Sequence, residues 1–176
     1  MSSLRRYIEI EIFGGRKKFS YLRLLIILIF GAGCQKVILY YRLANYLYLN
    51  GYKRFSKLLF RKLENGYGVY ISPNASIGIG LQFPHPTGIV IGNGVNIGEN
   101  CIIYQQVTFG GARKGDAQKN FYPQVGNNVV VFAGAKLIGN ILIHSQSIIG
   151  ANSVVTKDVP EGCVAAGVPA KIKEKN

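Results

Sequence analysis

The sequence predicts a mainly β protein, a parallel β-helix built from hexapeptides and preceded by a short helical segment. Three observations predict it. Aliphatic or aromatic residues recur every six positions at Ile71, Ile77, Phe83 and Ile89, slip by two, and continue at Ile91, Ile97, Ile103 and Phe109. After one interruption the beat returns at Val125, Val131, Leu137, Ile143, Ile149 and Val155. Glycine follows the beat residue at 78, 92, 98, 110, 126 and 150. Small or β-branched residues stand four places after it, at Ala75, Thr87, Val95, Cys101, Val107, Val129, Ala135, Ser147 and Ser153. A fixed short period is the mark of a solenoid whose repeats bury their apolar sides against one another.

The first unit, residues 1–68, is basic and apolar. Residues 1–65 hold 13 Lys and Arg against 3 Glu, so they carry most of the chain's net charge of +13. Such asymmetry points to an anionic partner or surface. From about 20 to 65 the pattern is helical, with Leu39, Leu43, Tyr46 and Leu47, then Leu58, Leu59 and Leu63, at three- and four-residue spacings. Asn50-Gly51 divides two helices, and Asn65-Gly66-Tyr67-Gly68 leads out of them. The run Leu24–Cys34 is 11 residues long, against the roughly 20 that a spanning helix needs. It is bracketed by Arg23, Gln35 and Lys36. Two readings are open for it: peripheral contact with the inner membrane face, or burial against partner subunits.

The second unit, residues 69–176, holds the coils. Three hexapeptides make one triangular coil, with every beat residue inward and strands pairing with the next coil. Gly92-Asn93-Gly94 and Gly126-Asn127-Asn128 supply corners that need positive φ. Between Gly110 and Gln124 the beat stops for a long excursion, which a regular solenoid usually devotes to function. It is expected to leave the prism and reach over a site.

Composition narrows the chemistry. Trp is absent, Gly numbers 22 and charged residues make up 16% of the chain, which suits tight coils with aliphatic interiors. Cys34, Cys101 and Cys163 are widely spaced and form no metal or redox motif, so they read as free thiols in a reducing cytosol. Only two histidines exist, too few for a three-imidazole zinc site, and no metal is expected. No nucleic-acid reading motif accompanies the positive charge, and no nucleic-acid partner is expected. His85 lies between Pro84 and Pro86, where the beat slips. A stiff backbone and a local distortion suit a general base, which needs a fixed direction; a turn histidine without chemistry fits the same residues. His144 follows a beat residue and reads as an exposed corner.

The stretches Pro84–Gly92, Gln105–Gly111, Ala133–Ile141, Gly150–Val155 and Ala165–Ile172 together resemble serine O-acetyltransferases of the hexapeptide superfamily, over roughly residues 37–172. The resemblance implies a left-handed β-helix, a homotrimer with sites between subunits, and acetyl-CoA as donor. It implies that His85 is the catalytic base and that backbone groups of Gly110, Gly111, Ala133 and Ala151 line the donor's arm, with Gly110-Gly111 near the oxyanion. Lys157, Lys171 and Lys173 would meet its phosphates. The chain departs from the serine enzymes where it matters for the acceptor. Pro84 stands for the Asp before the catalytic His, Tyr70 for a second Asp, and Phe121-Tyr122 for an Arg-His pair. Serine's two charges need countercharges, whereas rings and hydroxyls suit a sugar. The expected acceptor is therefore a saccharide of a polysaccharide pathway, held by Tyr70, Gln105, Phe121 and Tyr122. Serine is the alternative acceptor, and a non-catalytic anion-binding protein is a third reading. The expected place is the cytoplasm, at or near the inner membrane face.

Overall fold

A computed structural model describes residues 2–15 and 18–174; Arg16 and Lys17, part of the basic surplus, lie outside it. Helix α1 (Ser2–Tyr7) continues into a π-helical turn at Ile8–Ile12, and α2 (Tyr21–Phe30), α3 (Gly33–Leu49) and α4 (Lys53–Tyr67) follow. The break at Asn50-Gly51 falls where the pattern puts it. A second break does not: Gly31 and Ala32 are extended and cut the apolar run into α2 and the start of α3. Gly31 N–H still donates to the Ile27 carbonyl at 2.8 Å, and Lys36 Nζ donates to the Ile29 carbonyl at 3.0 Å. These bonds satisfy carbonyls that a helix end leaves free. Helix α4 runs past Asn65-Gly66 and stops at Gly68, whose φ of +62° needs no Cβ to accommodate.

Thirteen short strands then follow in parallel coils and closing turns, with one more at the end. They are β1 (Tyr70–Ile71), β2 (Ser76–Ile77), β3 (Val90–Ile91), β4 (Asn96–Ile97), β5 (Ile102–Ile103), β6 (Thr108–Gly110) and, beyond a short helix α5 (Asp116–Lys119), β7 (Gln124–Val125). The series ends with β8 (Val130–Val131), β9 (Lys136–Ile138), β10 (Leu142–Ile143), β11 (Ile148–Ile149), β12 (Val154–Val155), β13 (Val164–Ala166) and β14 (Lys171–Lys173). The chain deals them in turn onto three sheets. Sheet I is β1-β3-β6-β9-β12, sheet II is β2-β4-β7-β10, and sheet III is β5-β8-β11-β13-β14. All pairs are parallel except β13 with β14, which closes the end as a hairpin. This is a three-sided β-helix.

Register follows the beat. Ile71 pairs with Ile91, Ile91 with Phe109, Phe109 with Leu137 and Leu137 with Val155, so one beat residue stacks on the next. Every beat residue is buried, and the core is a column of Ile, Val, Leu and Phe. The small positions are buried too, with one exception. Thr87 is exposed, because the two extra residues at the slip move it from the interior to a corner.

The helical layer closes the first coil. Along sheet II, the N–H groups of Gly78, Gly98 and Gly126 donate to the carbonyls of Ile97, Val125 and Ile143 at 2.8–2.9 Å. Ile77 has no preceding coil to supply its donor. Arg42, on α3, takes that place: Nη1 donates to the Ile77 carbonyl at 2.8 Å and Nη2 to Gly78 at 2.6 Å. Glu11 neutralises the guanidinium through bonds of 2.8 and 2.6 Å and accepts the N–H groups of Gly80 and Leu81 at 2.9 and 3.1 Å. Tyr7 stacks on the same guanidinium, its ring centre 4.0 Å away. Two carbonyls of an otherwise open sheet end are thus partnered, as a buried edge requires.

Candidate active site

Two corners of the prism flank sheet I. At the first edge the chain passes from sheet III to sheet I through segments 84–88, 104–106, 132–134 and 150–152. Backbone bonds tie these segments into one column: Gln106 N–H to Thr87 at 2.8 Å, Gly134 to Gln105 at 2.9 Å and Asn152 to Ala133 at 2.8 Å. The column places His85, Gln105, Ala133 and Ala151 along a single edge. His85 is exposed at its start, and its carbonyl accepts the Thr87 N–H at 2.8 Å, which tightens the turn between the two prolines.

Beside His85 stands an aromatic pair. The Tyr104 ring centre is 6.4 Å from the imidazole, and Tyr104 stacks on Phe132 at 5.2 Å with an interplanar angle of 18°. Both rings follow a beat residue at a place where glycine stands in many other repeats, so a break in that pattern marks them in the sequence. Gln105 Oε1 is buried and, among the described residues, has no hydrogen-bond partner. Lys136 projects from sheet I and its ammonium bonds the Gln106 carbonyl.

At the second edge the chain passes from sheet I to sheet II, and here the excursion leaves the prism between β6 and β7. Its organiser is Asp116, its single acid. Asp116 is buried, and its Oδ2 accepts the N–H groups of Ala112 and Arg113, each at 2.7 Å. Its carbonyl accepts the Phe121 N–H at 2.9 Å. The loop's return leg lies on glycines: a Cβ at Gly92 would fall 2.9 Å from Tyr122 Cε1. Gly110 accepts the Gly139 N–H at 2.8 Å. This edge therefore gathers Gly110, Gly111, Phe121 and Tyr122. Asp116 was missed by spacing arguments, since nothing local distinguishes a loop anchor from a solvated acid.

The sequence-predicted site is thus divided. His85, Gln105, Ala133 and Ala151 share one edge; Gly110, Gly111, Phe121 and Tyr122 share the next. Tyr70 lies between them on the outer face of sheet I, in register with Val90, and is about half exposed. Among the described residues no side chain hydrogen-bonds the His85 imidazole, Tyr70 included. Lys157 and Lys171 line a cleft of about 430 Å³ at the far end of the prism, with Lys173 exposed two residues further along β14. His144 is exposed at a corner, its N–H bonded to the Val159 carbonyl at 2.9 Å. Cys101 is buried in the core, and burial pushes its thiol pKa up.

No protein-family model matches the chain. It is similar to the serine acetyltransferase of Buchnera aphidicola subsp. Acyrthosiphon pisum, 44% identical over 132 residues, which is 75% of this chain and 48% of that protein. Among solved structures, a serine acetyltransferase in complex with CoA aligns with 78% of this chain and 55% of its own, at 41% identity and a TM-score of 0.70. Soybean serine acetyltransferase complexed with serine aligns with 98% of this chain and 70% of its own, at 32% identity and a TM-score of 0.81. The chain spans about half the length of the curated relatives it matches. These relatives overturn the saccharide acceptor. That expectation rested on uncharged residues at four positions, whereas the likeness to serine enzymes extends over the helices and the coils alike.

Proposed function

For a chain that belongs to the serine acetyltransferase family of hexapeptide-repeat acyltransferases, we propose transfer of the acetyl group of acetyl-CoA to the hydroxyl of serine. The supporting observation is the near-complete overlay on a serine acetyltransferase complexed with serine, with His85 exposed on a stiff turn at the one slip in the coils. A relative solved with CoA supports the donor.

His85 takes the proton of the serine hydroxyl as that oxygen bonds to the thioester carbonyl carbon. The carbon–sulfur bond then breaks, and His85 returns the proton to the departing sulfur. A base of this kind contributes about 10²–10⁴ in rate, and holding the two substrates together contributes more. No metal is needed. The backbone of Ala133 and Ala151 lines the donor's arm on the His85 edge, and Lys157, Lys171 and Lys173 meet its phosphates. In a homotrimer of left-handed coils, the His85 edge of one subunit faces the Gly110-Gly111 and Phe121-Tyr122 edge of its neighbour, which joins the two halves that one chain keeps apart. The helices to residue 68 cap this catalytic unit, residues 69–176. Gln105, Tyr70, Phe121 and Tyr122 contact serine without opposing its charges, so its ammonium and carboxylate stay toward water. The reaction belongs in the cytoplasm, the compartment that suits three free thiols.

Thiol release from acetyl-CoA, followed with and without L-serine, tests the reading. Serine-dependent release that disappears in His85→Ala supports it; release indifferent to serine overturns it.

A further inference from the structure

Helix α2 carries an apolar stripe that nothing among the described residues covers. Leu22, Leu25, Ile26 and Ile29 recur at three- and four-residue spacing, so they share one face, and with Phe30 they are 48–81% exposed. The opposite side, Leu24, Ile27 and Leu28, packs on the core. Not one residue of α2 is buried. Five large apolar side chains exposed together on one short helix mark an interaction surface.

Beneath α2 opens an apolar cleft of about 770 Å³, lined by Leu4, Ile8, Phe19 and Leu24 with the exposed Arg5 and Arg6 and with Glu9, whose Oε1 accepts from Arg5 Nε at 3.2 Å. Arg23 lies on α2 itself. The surrounding segment, residues 1–65, has ten more basic than acidic residues. Charge decides between occupants. A second copy docking through this face would set two strongly cationic segments together, and a nucleic acid would satisfy the cations and leave the stripe in water. An anionic lipid surface answers both, with headgroups for the arginines and acyl chains for the stripe. Among the described residues no helix is long and apolar enough to cross a membrane, so α2 would lie in the interface plane.

We propose that the α1–α2 face docks on anionic bilayers, seating α2 at the headgroup boundary and an acyl chain in the cleft beside Arg5 and Arg6. The proposal is independent of the chemistry at His85.

Flotation of the full chain with vesicles of phosphatidylglycerol and phosphatidylcholine, against vesicles of phosphatidylcholine alone, tests it. Binding to the anionic vesicles is expected, with about tenfold weaker binding in Leu25→Glu/Ile29→Glu. Arg5→Gln/Arg6→Gln should weaken it and leave the stripe intact, which keeps the test valid should the first variant fold poorly. Acetyl-CoA turnover and the thermal melt of both variants should match those of the unaltered protein. Absence of binding to anionic vesicles would overturn the proposal, as would binding by both variants equal to that of the unaltered protein. A drop in sedimentation coefficient for the glutamate variant without vesicles would also overturn it, because the stripe would then join copies of this chain.

Discussion

Arg42 holds Glu11 in a buried ion pair, Nη2 to Oε1 at 2.6 Å, with the Arg and Glu side chains 3% and 0% exposed. The pair joins α3 and the π-helical turn to the first coil and supplies hydrogen bonds that a preceding coil would otherwise give. Its charges have no water to fall back on, and each is partnered by backbone as well as by the other.

The losses from removing the two partners should therefore not add. Arg42→Met or Glu11→Gln is expected to cost about 3–5 kcal/mol, because a buried charge or its contacts are left unmatched. The double variant Arg42→Met/Glu11→Gln should cost less than the two single losses combined, measured by urea unfolding. Equal, additive losses would mean that the two residues act separately.

Asp116 should govern the excursion rather than the prism. Asp116→Ala removes the acceptor of two backbone N–H groups, worth about 1–3 kcal/mol of local order. Faster hydrogen exchange at Ala112 and Arg113 and lower acetyl transfer are expected, with little change in the melt of the coils. Unchanged exchange at those amides would count against an anchoring role.

Gly92 is the seat of Tyr122. Gly92→Ala would place a Cβ 2.9 Å from Tyr122 Cε1 and 3.0 Å from the Phe109 carbonyl. The ring must move, so a raised KM for the acceptor is expected, with a stability loss of about 1–3 kcal/mol from overpacking. A crystal structure of the variant with Tyr122 unmoved would contradict this.

Stability should fall at alkaline pH. Burial pushes the Tyr41 phenol well above its ordinary range and the Cys101 thiol upward as well. Both groups hold their protons longer folded than unfolded, so their contribution is fully present below the unfolded pKa values, about 8.5 for Cys and 10 for Tyr. It is lost as pH rises toward the folded values. Melting temperatures recorded across this range should decline, and Tyr41→Phe should flatten the upper part of the decline.

The coils were legible because each beat residue has one neighbour environment, the column above and below it, and a period of six states that environment locally. His85 was legible for the same reason, since the slip that exposes it interrupts the period. Thr87 keeps the spacing of the small positions yet is exposed, because a rule counted from Phe83 cannot see which of two extra residues turns outward. The second helix break at Gly31-Ala32 was missed, since an apolar run looks continuous until packing bends it. Tyr104 and Phe132 left a trace, as rings where glycine is common, but their stacking needs two coils in register.

The acceptor shows the limit most plainly. Uncharged Tyr70, Pro84, Phe121 and Tyr122 argued for a sugar, and the likeness of the whole chain to serine enzymes corrected that expectation. Side-chain type at single positions is weak evidence when the positions are not known to meet.

From the sequence alone came the solenoid, its inward column, the excursion, the basic helical segment and the histidine at the slip, all properties carried by short-range spacing and composition. Tertiary structure alone decided which edge each site residue occupies, that Asp116 ties the loop, that α2 keeps an uncovered stripe, and that Arg42 and Glu11 close the first coil. The physical reason is range. A repeat needs only its nearest neighbours to fix its geometry, whereas Arg42 finds Ile77, and Tyr122 finds Gly92, across more than twenty intervening residues, through packing that no local pattern encodes.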